Sequence, residues 1–145
     1  MLVHRGIIGK QKYFLDAQMI RTTVFTKEQK FCPLLEFDKI DQIAYHSIFY
    51  YNQKPIGTGR TFQKPGHNNI YQLGRVAVLK PYRKLRIGSK IMEELEKYAK
   101  SQGCNIMELS AQVRAKDFYY QHGYREVGEE YLDEWCPHIQ MIKKL

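Results

Sequence analysis

Val76-Ala77-Val78-Leu79-Lys80-Pro81-Tyr82-Arg83-Lys84-Leu85-Arg86-Ile87-Gly88-Ser89 changes character twice within one short stretch. An apolar, strand-like run gives way to a proline turn and a cluster of bases. The spacing then becomes helical: Ile87, Ile91, Leu95, Tyr98 and Ala99 recur on one face. This predicts an amphipathic helix over about Leu85 to Ser101, with Gly103 as its terminator. The first amides of a helix have no intrahelical partner and carry partial positive charge. With Arg83, Lys84 and Arg86 beside them, they make a cradle for phosphate. Gly88 leaves the backbone open to close approach, although a packing glycine is the plainer alternative. The patterns GxxxxGK[ST] and GxGxxG are absent, so neither a P-loop nor a dinucleotide fingerprint is supported.

Outward from this stretch, the pattern gives a mixed sheet with helices on its faces. Tyr13 to Gln29 reads as a helix closed by Pro33, through Phe14, Ala17, Ile20, Val24 and Phe25. Ala44 to Tyr51 and Pro55 to Gln63 read as a hairpin, and Ile70 to Leu79 as a third strand. Past the central helix, Asn105 to Ala111 is a strand and Ala115 to His122 a helix ending at Gly123. Tyr124 to Gly128 and Ile139 to Lys143 are the last strands. The order is helix, three strands, helix, strand, helix and two strands, an α/β or α+β layered domain.

The bulk properties narrow the function classes. With 145 residues, 43% hydrophobic and 26% charged, the chain fits one soluble domain over 1–145. No apolar run approaches the ~18 residues of a membrane span, and the first residues lack a signal-peptide pattern. A cytoplasmic protein is expected. Cys32, Cys104 and Cys136 are odd in number, widely spaced and without CxxC, which argues against a disulfide framework or a metal site. Cys136 as a lone nucleophile is outweighed by a structural role. The net charge of +8 points to an anionic partner. Eleven tyrosines would suit base stacking. However, the bases concentrate in one loop and no nucleic-acid motif accompanies them.

A second stretch, Gln112-Val113-Arg114-Ala115-Lys116-Asp117-Phe118-Tyr119-Tyr120-Gln121-His122-Gly123-Tyr124, completes a resemblance. The basic loop resembles the GNAT superfamily signature [RQ]-x-x-[GA]-x-[GA]. Gln112, Ala115, Phe118, Tyr119, Gly123 and Tyr124 resemble its N-x-x-A-x-x-[FL]-Y-x-x-x-G-[FY]. Arg21-Thr22-Thr23-Val24-Phe25 with Glu28-Gln29, Asp38, Asp41, His46 and Gly57-Thr58-Gly59-Arg60 are similar to the ElaA/YjcF-like subgroup. Pro137-His138-Ile139-Gln140-Met141 is as well, so the likeness spans roughly 18 to 143. It implies a GNAT-type, mostly antiparallel sheet of about six to seven strands with helices on both faces. Two positions depart: Arg86 stands where a small residue is usual, and Gly74 where the subgroup often has an acid.

The resemblance also implies chemistry. An amine would attack the thioester of acetyl-CoA, or of another short acyl-CoA, without a metal. Neutralising an amine of pKa roughly 10.4 at pH 7 costs about 4.6 kcal/mol, so a base is required. A backbone N–H at Val78 would stabilise the oxyanion, and Tyr119 would protonate the leaving thiolate. Val76, Ala77 and Val78 with the loop Arg83, Lys84, Leu85, Arg86, Ile87, Gly88 and Ser89 would hold the cofactor. Gln112, Phe118 and Tyr119 would complete that site. His46 and His138 are the candidate bases. Asp38 and Asp41 suit a cationic acceptor, and Arg21, Arg60 and Arg75 an acidic one, although mutual pairing of these groups is an equal alternative. The acceptor is a small-molecule or protein amine, and a homodimer is a reasonable assembly. The competing readings are an acyl-CoA sensor without a base and a basic nucleic-acid module.

Overall fold

Seven extended segments pair through their backbones into one sheet. The computed structural model describes residues 1–145, the Leu35 side chain excepted. Its strands are β1 (Leu2–Ile8), β2 (Tyr45–Tyr51), β3 (Lys54–Gln63), β4 (Ile70–Val78), β5 (Ile106–Gln112), β6 (Arg125–Asp133) and β7 (Cys136–Lys144). They lie in the order β1-β2-β3-β4-β5-β7-β6. Every pairing is antiparallel except β4 with β5. That parallel pair needs a crossover, which is α3 (Ile87–Ser101). The helices α1 (Phe14–Arg21), α2 (Pro33–Glu36) and α4 (Lys116–Gln121) complete the mixed α/β fold.

Each face buries its own core. On one side, Ile91, Met92, Leu95 and Ala99 of α3 pack on Met107 and Leu109 of β5. Burying side chains of this size stabilises by about 1.5–3 kcal/mol each. Gly57 and Gly59 let α3 lie directly on β3. A Cβ on Gly59 would stand 2.7 Å from Ile91 Cγ2, and one on Gly57 2.8 Å from Ile87 Cγ2. On the other side, Phe14, Ala17 and Ile20 of α1 pack on Ile7, Ile48 and Ala77.

The structure differs from the sequence reading at the edges and the joints. Leu2–Ile8, read as a lead segment, is an edge strand registered on β2 from Leu2↔Tyr51 to Ile8↔Tyr45. The first helix is α-helical only to Arg21. It continues as a π-helical turn, Thr22–Glu28, in which the Gln29 amide reaches Val24 O. The acidic stretch folds as α2 and a 3-10 turn, Lys39–Gln42. β6 runs on to Asp133 and β7 begins at Cys136, so they form one hairpin.

Candidate active site between β4 and β5

β4 and β5 pair only from Ile70↔Ile106 to Leu73↔Leu109. Beyond that point β4 stays with β3, while β5 stays with β7 as far as Gln112↔His138. The parting has a local cause. Arg60 faces Gly74 and Thr58 faces Ala77, so β4 carries one residue more than β3 between those pairs. This is a bulge, which bends the strand that contains it. Within it Arg75 sits at φ 54°, in the left-handed region, at a cost of about 1–2 kcal/mol for a residue with a Cβ. Contacts hold it there: Arg75 Nε donates to Glu36 O at 3.1 Å and lies 3.2 Å from Glu36 Oε1.

The parted strands frame a cleft of about 560 Å³. Its floor follows from period-two alternation on β5 and β7. Met107, Leu109 and Ala111 are buried in the α3-side core, whereas Glu108, Ser110, Gln112, His138 and Gln140 line the cleft. Phe25 and Phe31 line it from the segments around the π-helical turn.

Six of the sequence-predicted residues meet here: Val76, Gln112, Tyr119, Arg60, Arg75 and His138. Gln112 donates to Gln29 Oε1 at 2.8 Å and accepts from Arg114 Nε at 2.7 Å, tying the end of β5 to the π-helical turn. Burial pushes the Tyr119 phenol up to about 12. Its hydroxyl has no bonded protein partner among the described residues. His138 is buried, and its Nδ1 lies 2.9 Å from the Cys136 carbonyl. A carbonyl only accepts, so Nδ1 carries the proton and Nε2 of the neutral ring keeps its lone pair.

The basic loop lies beside this opening. Lys80–Leu85 is a 3-10 turn, and Lys80, Arg83, Lys84, Leu85 and Arg86 are exposed. Arg86 is the N-cap of α3 at φ 59° and makes no side-chain cap bond; no acid occupies the first turn. The leading amides of α3, at Ile87, Gly88 and Ser89, therefore face no carboxylate of their own turn. The site thus has the donors and exposed bases that a diphosphate requires. A Cβ on Gly88 would come within 3.2 Å of the Phe118 ring, and Ser89 Oγ meets His122 Nε2 at 3.0 Å. The two sequence motifs dock on one another through these contacts. Arg83 is partly engaged: Nε donates to Val78 O at 2.8 Å, and its two terminal nitrogens clamp Glu28 at 2.6 and 2.7 Å. That hydrogen bonding holds the Glu28 carboxyl below its ordinary value. Ala77 is buried in the α1-side core.

Four expected substrate residues, Arg21, Asp38, Asp41 and His46, lie away from the cleft lining. Arg21 is 1% exposed; it bonds Glu36 Oε1 and Asp41 Oδ1, each at 2.8 Å. Asp41 is 0% exposed and also accepts from Arg60 at 2.8 Å. Burial alone would raise the Asp41 carboxyl, but the hydrogen bonds and charges of Arg21 and Arg60 outweigh it and hold it low. His46 is 1% exposed, lies 3.0 Å from Asp41 O through Nε2, and is pushed down by burial. Asp38 takes both terminal nitrogens of Arg60, at 2.7 and 3.0 Å. The alternative of mutual pairing describes Arg21, Asp38 and Asp41, because nearby α2 supplies a counter-charge at each guanidinium or the next turn does.

Sequence reasoning did not single out Glu108, Ser110, Tyr131 or Gln140, all of which line the cleft. For Glu108, Ser110 and Gln140 the signal was available as polar residues at every second position of otherwise apolar strands. Glu108 lies 3.1 Å from Lys64 Nζ, and Ser110 Oγ contacts the Tyr131 hydroxyl. Among the described residues no group of His, Cys, Asp and Glu could hold a metal ion, and no helix is long and apolar enough to cross a membrane.

Comparison with known proteins agrees with this geometry. The uncharacterized N-acetyltransferase YjcF of Bacillus subtilis is 39% identical over 96% of this chain and 99% of its own length. An acyl-CoA N-acyltransferase structure from Pseudomonas aeruginosa superposes with a TM-score of 0.87 at 26% identity, covering 99% of each chain. ElaA of Escherichia coli has the same fold, with a TM-score of 0.88 at 22% identity over 99% of this chain and 100% of its own. Residues 22–145, from the π-helical turn through both cleft strands to the last residue, match the acetyltransferase (GNAT) domain, and the chain belongs to that N-acetyltransferase family.

Proposed function

We propose that the chain transfers the acetyl group of acetyl-CoA directly to a small-molecule or protein amine. The observation that carries this reading is the parting of β4 from β5 beside the uncapped start of α3, with Tyr119 and His138 both in the cleft. The α3 amides, Lys84 and Arg86 would hold the diphosphate, and the thioester would lie along the open edge of β4.

His138 is the base in this scheme, because its Nε2 lone pair is free and it lines the cleft, whereas His46 does not. The amine gives its proton to Nε2 and its nitrogen bonds to the thioester carbon. The Val78 amide donates to the oxygen that gains charge. The carbon–sulfur bond then breaks, leaving amide and thiol. Tyr119 supplies the donor to the departing sulfur. With its phenol near 12, it is protonated throughout the working range and adds no limb of its own to the pH profile. Cysteine thiols titrate near 8.5, so full transfer from Tyr119 to a comparable thiolate is uphill by about 5 kcal/mol. The phenol therefore acts chiefly as a hydrogen-bond donor, and the proton taken by His138 finally balances the thiol.

Tyr119→Phe is expected to lower kcat about 100-fold while leaving the acetyl-CoA Kd within a factor of about two. His138→Gln is expected to lower kcat similarly, again with the acetyl-CoA Kd nearly unchanged. Stopped-flow thiol release and calorimetry measure both. An unchanged kcat in Tyr119→Phe removes the phenol from the mechanism.

A further inference from the structure

We infer that the acceptor carries a carboxylate beside its amine, and that Arg75 and Arg60 read it over Gly74. This rests on the acyl-transfer reading of the same cleft and names its substrate class, a free amino acid.

Three independent features converge on one spot. Arg75 lines the cleft with its backbone held at φ 54°, a conformation that persists only when its surroundings impose it. Its Nε is committed to Glu36, and one terminal nitrogen stands 3.5 Å from Asp38. The other terminal nitrogen, Nη1, has no hydrogen-bond partner among the described residues. Arg60 is 4% exposed and lines the same cleft. Its terminal nitrogens serve Asp38 and Asp41, but its buried Nε has no acceptor among the described residues. An unmade bond at a buried charged donor costs more than a neutral one, so an acceptor brought by a ligand is favoured there.

Gly74 is the third feature. It faces Arg60 in the β3–β4 register, so the two positions adjoin on one face of the sheet. A Cβ built on Gly74 meets nothing within 4 Å. The glycine therefore leaves room on the face that carries Arg60, next in sequence to Arg75. A planar carboxylate fits guanidinium edges. The surrounding charges suit a zwitterion better than a simple anion. Arg21, Arg60 and Arg75 are already balanced by Glu36, Asp38 and Asp41, as Glu108 on the cleft floor is by Lys64, so a ligand without net charge fits the cleft best.

Calorimetric titration of the protein–CoA complex with α-, β- and γ-amino acids, their amides and the carboxylate-free amines tests this. At least one amino acid is expected to bind about tenfold or more tightly than its own amide. Gly74→Asp places a covalent carboxylate in the same space and is expected to bring that amino acid down to the affinity of the amide. Arg75→Asn, which tolerates the left-handed backbone, is expected to do the same. Equal binding of acids and amides, or a preference that survives Gly74→Asp, overturns the inference. Binding decides it separately from turnover. Thiol release without carboxylate preference overturns this inference alone, and CoA binding with no thiol release from any amine overturns the acyl-transfer reading instead.

Discussion

Two basic regions of this chain are made of the same residue type and behave in opposite ways. Arg21 and Arg60 are buried and meet acids from Glu36 to Asp41 at 2.7–2.8 Å. Lys84 and Arg86 stand exposed at the start of α3, where no acid occupies the first turn. With Arg75 the first region has three arginines against Glu36, Asp38 and Asp41, is neutral as a whole, and joins α1, α2, β3 and β4. The second leaves its charge outward, where an anion can use it. A net charge of +8 therefore says little until each base is assigned a partner.

The largest effect expected from that contrast is on folding. Arg21→Ala leaves buried Glu36 with Arg75 alone and buried Asp41 with Arg60 alone, and removal of one partner from a buried pair costs about 3–5 kcal/mol. Lys84→Ala is expected to stay within about 0.5 kcal/mol of the parent. Urea unfolding monitored by circular dichroism measures both. A loss below about 1 kcal/mol in Arg21→Ala would mean the network is dispensable to the fold.

The next effect is on the cofactor. Lys84→Ala is expected to weaken CoA binding about two- to fivefold, and the difference should shrink as salt rises. Arg83 is the intermediate case, since Glu28 holds it with a bidentate clamp at the surface. Glu28→Gln loosens that clamp and is expected to tighten CoA by a similar factor. Calorimetry at two salt concentrations reads both changes. If Glu28→Gln weakens binding, Arg83 serves better as a clamped spacer than as a phosphate ligand.

Legibility in the sequence followed burial. The inner strands β2 to β5 showed their period because a buried face demands it. The missed segments lie at the sheet edges, the whole of β1 and β6 beyond Gly128. Every residue of β6 is exposed, so Arg125-Glu126-Val127-Gly128-Glu129-Glu130 has no apolar rhythm, and pairing to β7 through the backbone defines it. In the site, the basic loop and the Phe118-Tyr119 helix were legible because their residue types are unusual together. The bulge was not, since nothing in the identity of Arg75 announces a left-handed backbone. Nor could charge alone say which arginines meet acids brought from α2, because that pairing is a property of the folded chain.

The smallest effect separates two consequences of one residue. Arg86 supplies exposed charge to the loop, yet it caps α3 at φ 59°, where a Cβ crowds the following carbonyl. Glycine adopts that backbone freely, but it also enlarges the conformational freedom of the unfolded chain, which offsets part of the gain. Arg86→Gly is therefore expected to stabilise the fold by about 1 kcal/mol or less, seen as a rise in Tm. The same change deletes a base beside the α3 amides and is expected to weaken CoA about twofold. Opposite signs for stability and affinity would show that the strained arginine is retained for its charge. A loss of both would mean that its side chain supports the turn, since relief of the backbone would then be outweighed by contacts of Arg86 with the protein itself.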